Sequence, residues 1–170
     1  PVATADYLLV ESTYGDRDHQ DVDVMAALER IVNRAVQQRG FVLIPSFAIG
    51  RSQEVLYLLH ELQRDGRIPE IPIYLDSPMA LSALPVFINH PEEHDVDMAA
   101  LLDDQRCPFE GRNIHHIQTR DQSKGLNEKH GPGVIIAGSG MANGGRIRHH
   151  MVNKIDKPET TILFVGYQAE

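Results

Sequence analysis

Short apolar runs alternate along the sequence with stretches of helical periodicity, and this alternation constrains the fold more than any other feature. The apolar runs predict strands at residues 7–10, 41–44, 73–75, 113–117, 133–137 and 160–165. Apolar residues three and four positions apart predict helices at residues 22–38, 52–62, 79–88 and 95–102, with a further helix from Gly145 through His150. Gly40 is expected to end the first helix, and Pro85 to bend or interrupt the third. Continuous apolar strands separated by helices indicate an α/β domain of three layers, in which helices cover both faces of a mainly parallel sheet.

Length and composition narrow the class of protein. The 170 residues fit one domain, and no apolar run approaches the roughly 18 residues of a membrane helix, so no membrane partner is expected. The single Cys107 excludes an internal disulfide and predicts a cytoplasmic location. A net charge of −8 argues against a free-standing nucleic-acid binder. Four basic residues cluster near the end, however, where they could still meet a phosphate backbone: Arg146, Arg148, Lys154 and Lys157.

Segments rich in serine, glycine and charge follow four of the predicted strands, at residues 11–15, 45–51, 76–80 and 138–146. In mainly parallel sheets, ligands collect beyond the carboxyl ends of the strands, so these segments are the candidate site. In the last of them a glycine-rich turn precedes a helix, whose backbone N–H groups and positive end favour an anion. The alternative is a tight connection without a ligand, or a salt bridge between Arg146 and an acidic neighbour.

Three charged residues in these segments have two interpretations each. Glu11 and Asp76 both follow an apolar strand, where a carboxylate could act as an acid, a base or a metal ligand. Each could instead cap a turn or helix, Asp76 together with Ser77. Arg51 either binds a phosphate or carboxylate, or forms a salt bridge with Glu54 or Glu11.

The nine histidines do not predict a zinc site within the chain. His115 and His116, and likewise His149 and His150, are adjacent, and neighbouring side chains on a strand or helix point apart. The sequence contains neither His-Glu-x-x-His nor His-x-His-x-Asp-His, and it contains no phosphate-binding P-loop. We therefore expect the chain to bind no metal by itself.

Four stretches, taken in order, carry a family resemblance. They are Leu8-Leu-Val-Glu-Ser-Thr-Tyr-Gly15, Ile44-Pro-Ser-Phe-Ala-Ile-Gly-Arg-Ser-Gln-Glu54, Ile73-Tyr-Leu-Asp-Ser-Pro-Met-Ala80 and Ile136-Ala-Gly-Ser-Gly-Met-Ala-Asn-Gly-Gly-Arg146. Together they resemble the β-CASP domain of metallo-β-lactamase-fold RNA-processing nucleases, which include ribonuclease J-like enzymes and the endonuclease subunit of the eukaryotic cleavage and polyadenylation factor. The final Val165-Gly-Tyr-Gln-Ala-Glu170 resembles the point where such a chain returns to the lactamase-like domain.

The resemblance implies a Rossmann-like β-CASP domain over residues 1–170, as a piece of a larger protein whose zinc-binding domain flanks it. In that family the cleft between the two domains holds RNA and two zinc ions, and zinc-activated water attacks phosphorus. The zinc motifs of the family are absent from this sequence, so the zinc ions would belong to the flanking domain and this chain alone would be inactive. RNA and the flanking domain are the partners implied, and a homodimer is left open.

The resemblance also assigns residues. Glu11 matches the acidic residue of the first family motif and would support a catalytic histidine. Ten positions make up the predicted site, with Glu11 as the catalytic member and the other nine as contacts to the RNA: Ser12, Thr13, Ser46, Arg51, Ser77, Ser139, Gly140, Gly145 and Arg146.

Three alternatives to an RNA-cleaving hydrolase follow from the same residues. The domain could serve a hydrolase of DNA or another phosphodiester, or a scaffold protein that has lost its metal. A stand-alone nucleotide-binding Rossmann domain is disfavoured, because Gly-x-Gly-x-x-Gly does not follow the first predicted strand.

Overall fold

The computed structural model describes residues 4–16, 21–90, 93 and 107–168. Helices and strands alternate along them: α1 (Val24–Gln38), β1 (Phe41–Pro45), α2 (Arg51–Arg64), β2 (Ile73–Asp76), α3 (Pro78–Asn89), β3 (Ile114–His116), α4 (Arg120–Glu128), β4 (Gly133–Ala137), α5 (Gly145–Lys154) and β5 (Thr161–Ile162). Within these ranges, every helix falls short of the length and apolar character that a membrane span needs.

The five strands form one sheet in the order β3-β2-β4-β1-β5, and every neighbouring pair is parallel. Side chains of α1, α2 and α3 pack on one face of this sheet, and those of α4 and α5 pack on the other. The predicted α/β architecture of three layers is therefore confirmed.

Strands β1 and β4 are apolar throughout because both of their faces are covered. In β1, Val42 and Ile44 contact the layer of α1 to α3, whereas Phe41 and Leu43 contact the layer of α4 and α5. Leu43 and Ile44 are both completely buried, and burying a side chain of this size stabilises a fold by about 1.5–3 kcal/mol.

Local signals explain both ends of α1. Asp23 caps α1 by accepting a hydrogen bond of 2.9 Å from the Ala26 N–H. The helix ends at Arg39, which adopts the left-handed conformation one residue before Gly40. Pro85, which was expected to bend or interrupt α3, does not interrupt it, because the helix continues to Asn89. Buried Leu84, next to the proline, keeps α3 packed on the core.

The predicted strand at residues 7–10 is absent, and this expectation is also wrong. The side chains from Tyr7 to Val10 are 70% to 96% exposed. Their apolar pattern is typical of a strand, but a strand needs a neighbour for its backbone groups. Among the described residues, neither β3 nor β5, at the two sheet edges, pairs with this segment. The helix predicted at residues 95–102 lies outside the described residues.

Candidate functional site

The carboxyl ends of β1, β2 and β4 meet at one cleft, because the helices that follow these strands diverge. α2 and α3 follow β1 and β2 on one face of the sheet, whereas α5 follows β4 on the other. A reversal of this kind between neighbouring strands leaves a crevice beyond the sheet, the usual ligand site in open α/β folds. The crevice has a volume of about 490 Å³.

The cleft brings together residues from three of the four polar segments singled out in the sequence. The predicted contacts that line it are Ser46, Ser77, Ser139, Gly140, Gly145 and Arg146. Phe47 and Met79 add apolar surface, and they are 44% and 66% exposed. The chemical roles of these residues stay predictions.

The loop between β4 and α5 depends on close backbone approach. Gly145 has a φ of +70°, and a Cβ there would lie 2.4 Å from the carbonyl oxygen of Gly138. That same carbonyl accepts a hydrogen bond of 2.9 Å from the Ile147 N–H in the first turn of α5. Ser139 Oγ lies 2.8 Å from Asn143 Oδ1, within the loop. The Ile147 N–H at the start of α5 is therefore already bonded to the Gly138 carbonyl. An anion at this helix end would have to bind neighbouring N–H groups instead.

Arg146 forms the ion pair that its sequence context left open, and it also lines the cleft. Its Nη1 donates to Asp76 Oδ1 at 2.5 Å and to the carbonyl of Ile117 at 3.1 Å. Its Nη2 donates to the carbonyl of Gln118 at 3.3 Å. The Arg146 side chain is 23% exposed, so the guanidinium is anchored on one side and accessible on another.

Asp76 is fully buried and shares its carboxylate among three donors. Oδ2 accepts from Ser123 Oγ at 2.5 Å and from His150 Nε2 at 2.6 Å. Burial raises the pKa of Asp76, but the hydrogen bonds from His150, Ser123 and Arg146 outweigh it and hold the pKa below its ordinary value. The carboxylate is an ion-pair anchor and not a helix cap. The cap of α3 is Ser77, which accepts a hydrogen bond of 3.3 Å from the Ala80 N–H.

His150 joins Asp76 to α4. Because the ionised carboxylate of Asp76 can only accept, His150 Nε2 carries a proton. Nδ1 lies 2.9 Å from Asn127 Oδ1. The imidazole is completely buried, so His150 is a structural member of the site and not a group that reaches a ligand.

The segment after β1 forms the opposite wall of the cleft. Ser52 Oγ donates to the Phe47 carbonyl at 2.7 Å and lies 3.1 Å from Ser46 Oγ. The Phe47 ring lies against Gly140, where a Cβ would come within 2.5 Å of it. Ser46 is almost fully buried, so its hydroxyl supports this wall more than it faces the cleft.

The remaining predicted residues lie elsewhere. Glu11, Ser12 and Thr13 are exposed in the segment that forms no strand. Glu11 Oε1 accepts from the Thr13 N–H at 2.7 Å, and hydrogen bonds from Thr13 hold the pKa of Glu11 below its ordinary value. Arg51 pairs with Glu54 at 2.6 Å and lines a neighbouring groove, not the cleft. Glu11 thus caps a turn, and Arg51 forms the salt bridge with Glu54. Their proposed roles in catalysis and RNA binding stay predictions.

Sequence reasoning missed Ser123 and Asn127, because it did not predict α4. This helix contains one large apolar residue, Leu126, and so has no apolar periodicity to detect. A signal was present: Thr119 and Gln122 form a capping box, which marks a helix start in sequence.

The part of the chain that the structure describes contains no set of side chains suited to bind a metal ion. There, no group of three or more histidine, cysteine, aspartate or glutamate side chains could hold an ion.

Comparison with known proteins decides what kind of domain carries this cleft. A family model described as the Beta-Casp domain matches residues 52–170. The chain belongs to the Beta-Casp family. The resemblance seen in the four sequence stretches is thereby confirmed, and the cleft is that of a Beta-Casp domain.

Curated relatives extend the match toward the amino-terminal end. The chain is 38% identical over 167 residues to Ribonuclease TTHA0252 of Thermus thermophilus, covering 98% of this chain and 38% of that protein. It is 34% identical over 167 residues to Transcription termination factor FttA of Methanosarcina mazei, covering 96% of this chain and 26% of that protein. It is 30% identical over 172 residues to the RNase J-like protein of Methanocaldococcus jannaschii, covering 97% and 38%. This Beta-Casp chain therefore spans well under half the length of these relatives.

Proposed function

We propose that this chain is the RNA-contacting Beta-Casp domain of a larger metallo-β-lactamase-fold hydrolase that cleaves RNA phosphodiester bonds. Two of the relatives described above are named as ribonucleases or as similar to one. The cleft supports the same reading, because it combines a cationic side chain, hydroxyl groups and glycine backbone beyond the ends of three parallel strands.

The observation that carries the proposal is the anchored guanidinium of Arg146. Asp76 and the carbonyls of Ile117 and Gln118 fix its position, while 23% of the side chain stays exposed. A planar, permanently charged group held in this way suits a phosphate better than a mobile lysine does.

The chemistry proposed for this domain is binding and orientation of RNA. The resemblance implies two zinc ions, but the described residues offer no ligand set for them, so we propose that the flanking domain would hold them. Glu11, exposed near the start of the chain, would act at the boundary with that domain. We also propose a cytoplasmic location, supported by the single cysteine.

The test compares matched RNA and DNA oligonucleotides as substrates of the full-length protein. We expect cleavage of RNA, and weaker RNA binding after Arg146→Ala. Arg148→Ala is the matched control, since Arg148 is exposed on the same helix, carries the same charge and is not part of the cleft lining. Preferential cleavage of DNA, or equal effects of the two substitutions on RNA affinity, would contradict the proposal.

Transcription termination is a second candidate function, because one relative of 34% identity is named a transcription termination factor. The two candidate functions predict different activities of the purified protein. A termination factor should release transcripts from a stalled RNA polymerase, whereas a ribonuclease should cleave purified RNA with no polymerase present. Measuring both activities with one preparation of the full-length protein separates them.

A further inference from the structure

Four buried or half-buried side chains are linked by hydrogen bonds to one another, and through Asp76 to the guanidinium of Arg146. We name them the Asp76 network: Asp76, Ser123, Asn127 and His150. They come from β2, α4 and α5, which the network ties together. Asp76 and His150 are completely buried, and Ser123 is 7% exposed. These three side chains lie too deep to contact a macromolecular ligand directly.

The hydrogen bonds of Arg146 leave Nε of its guanidinium available. Nη1 donates to Asp76 and to the carbonyl of Ile117, and Nη2 donates to the carbonyl of Gln118. Within the described ranges, Nε–H has no acceptor. Nε and Nη2 form one edge of the planar group, the edge that makes bidentate contacts with phosphate oxygens.

We propose that Ser123 and His150 are positioning residues for RNA binding. They hold Oδ2 of Asp76, which leaves Oδ1 directed at Arg146 and so fixes the orientation of the guanidinium and of its free Nε–H. A group that is already oriented loses less conformational freedom when the ligand binds. The inference rests on the proposed contact between this cleft and RNA.

The experiment is a double-mutant cycle in the full-length protein between Ser123→Ala and Arg146→Ala. RNA affinity and its dependence on salt are measured well below the melting temperature of every variant. Ser123→Ala should weaken RNA binding by about three- to tenfold, the scale of one hydrogen bond. In the Arg146→Ala background the same substitution should cause no further loss, because no guanidinium remains to be oriented.

Ser82→Ala is the matched control, since the Ser82 hydroxyl donates only to the Pro78 carbonyl within α3; it should not change RNA affinity. A purely structural Ser123 would lower the melting temperature and leave RNA affinity unchanged, which overturns the positioning role. Equal losses of affinity with and without Arg146 overturn it as well. If Arg146→Ala itself leaves RNA binding unchanged, the proposed RNA contact fails first, and the inference fails with it.

Discussion

At the scale of single residues, Arg146 combines two roles that a sequence presents as alternatives. Its ion pair with Asp76 is short, and the carboxylate is fully buried. Removing one partner of such a pair leaves a charge buried without full compensation. Asp76 would keep its hydrogen bonds from Ser123 and His150, which limits the loss.

We therefore expect Arg146→Ala to lower both stability and RNA affinity, each by about 1–3 kcal/mol. Arg146→Lys should restore part of the stability, because it keeps a charge, but little of the affinity, because an ammonium has no fork of donors. Thermal melting and RNA titration of the full-length variants measure the two effects. Unchanged stability in Arg146→Ala would show that Asp76 does not depend on the ion pair.

Lys154 is a buried cation that forms no ion pair with a carboxylate among the described residues. Nζ donates to the carbonyls of Lys129 at 3.0 Å and Asn127 at 3.3 Å, and it lies 4.5 Å from the centre of the Phe41 ring. Burial, together with the charge of Lys157, lowers the pKa of Lys154 to about 8. The folded state thus binds fewer protons than the unfolded state above that pH, and stability from this group rises with pH.

The prediction is that wild type gains stability relative to Lys154→Met as the pH is raised from 7 to 10. The gain should reach up to about 3 kcal/mol, since one pKa unit corresponds to about 1.4 kcal/mol. Comparing the two proteins at each pH cancels the titration of all other groups. Unfolding free energies from denaturant titrations at pH 7, 8.5 and 10 provide the measurement, and a constant or shrinking difference would refute the burial effect.

At the scale of elements, the connection from β4 to α5 determines how the cleft is built. Gly144 and Gly145 are adjacent in this connection but differ in their constraints. Gly145 has a positive φ and almost touches the Gly138 carbonyl, whereas Gly144 is extended and has no atom within 4 Å of a Cβ position.

Gly145→Ala should consequently destabilise the protein by about 2 kcal/mol or more, from the left-handed conformation and the backbone clash together. Gly144→Ala should change stability by less than about 0.5 kcal/mol. Melting temperatures of the two variants test this, and the ratio of their RNA affinities shows whether the loop shapes the cleft. Similar melting temperatures for both would mean that the loop can rearrange.

At the scale of the whole molecule, the proposed function requires a further domain beside this chain. The net charge of −8 disfavours RNA binding by this chain alone, and the described residues offer no group of side chains that could hold a metal. We expect residues 1–170 alone to bind RNA no more tightly than non-specific complexes, about 10⁻⁴–10⁻⁶ M. Fluorescence titration with labelled RNA and metal analysis after dialysis measure this, and submicromolar binding or one tight zinc per chain would contradict it.

The proposed role of Glu11 also concerns the whole molecule, because the histidine that it would support would lie in the proposed flanking domain. Glu11→Ala in the full-length protein should lower the cleavage rate at saturating RNA far more than it lowers RNA affinity. Single-turnover kinetics separate the two quantities. A rate equal to that of wild type would leave Glu11 as the turn cap seen in its hydrogen bond to Thr13.

Local patterns predicted β1, β4 and the longest helices within a few residues, because their apolar periodicity reflects burial. The same reasoning failed at residues 7–10, whose apolar side chains are exposed. It missed α4, where Leu126 is the only large apolar residue. Periodicity reflects only the polarity of side chains. At residues 7–10 it does not reveal that a strand lacks a neighbour to pair with, and in α4 it does not detect a helix that is marked by its capping box.

By itself, the sequence determined the layered α/β fold and the polar segments at the strand ends, since periodicity and chain order specify which ends of parallel strands share an edge. Only the tertiary structure decided which side chains meet there. Asp76 lies 70 positions from Arg146 and 74 from His150. They meet because β4 lies beside β2, with Asp76 opposite Ala137, so that α5 starts next to the Asp76 carboxylate. That strand order results from packing both faces of the sheet, and no local pattern in the sequence records it.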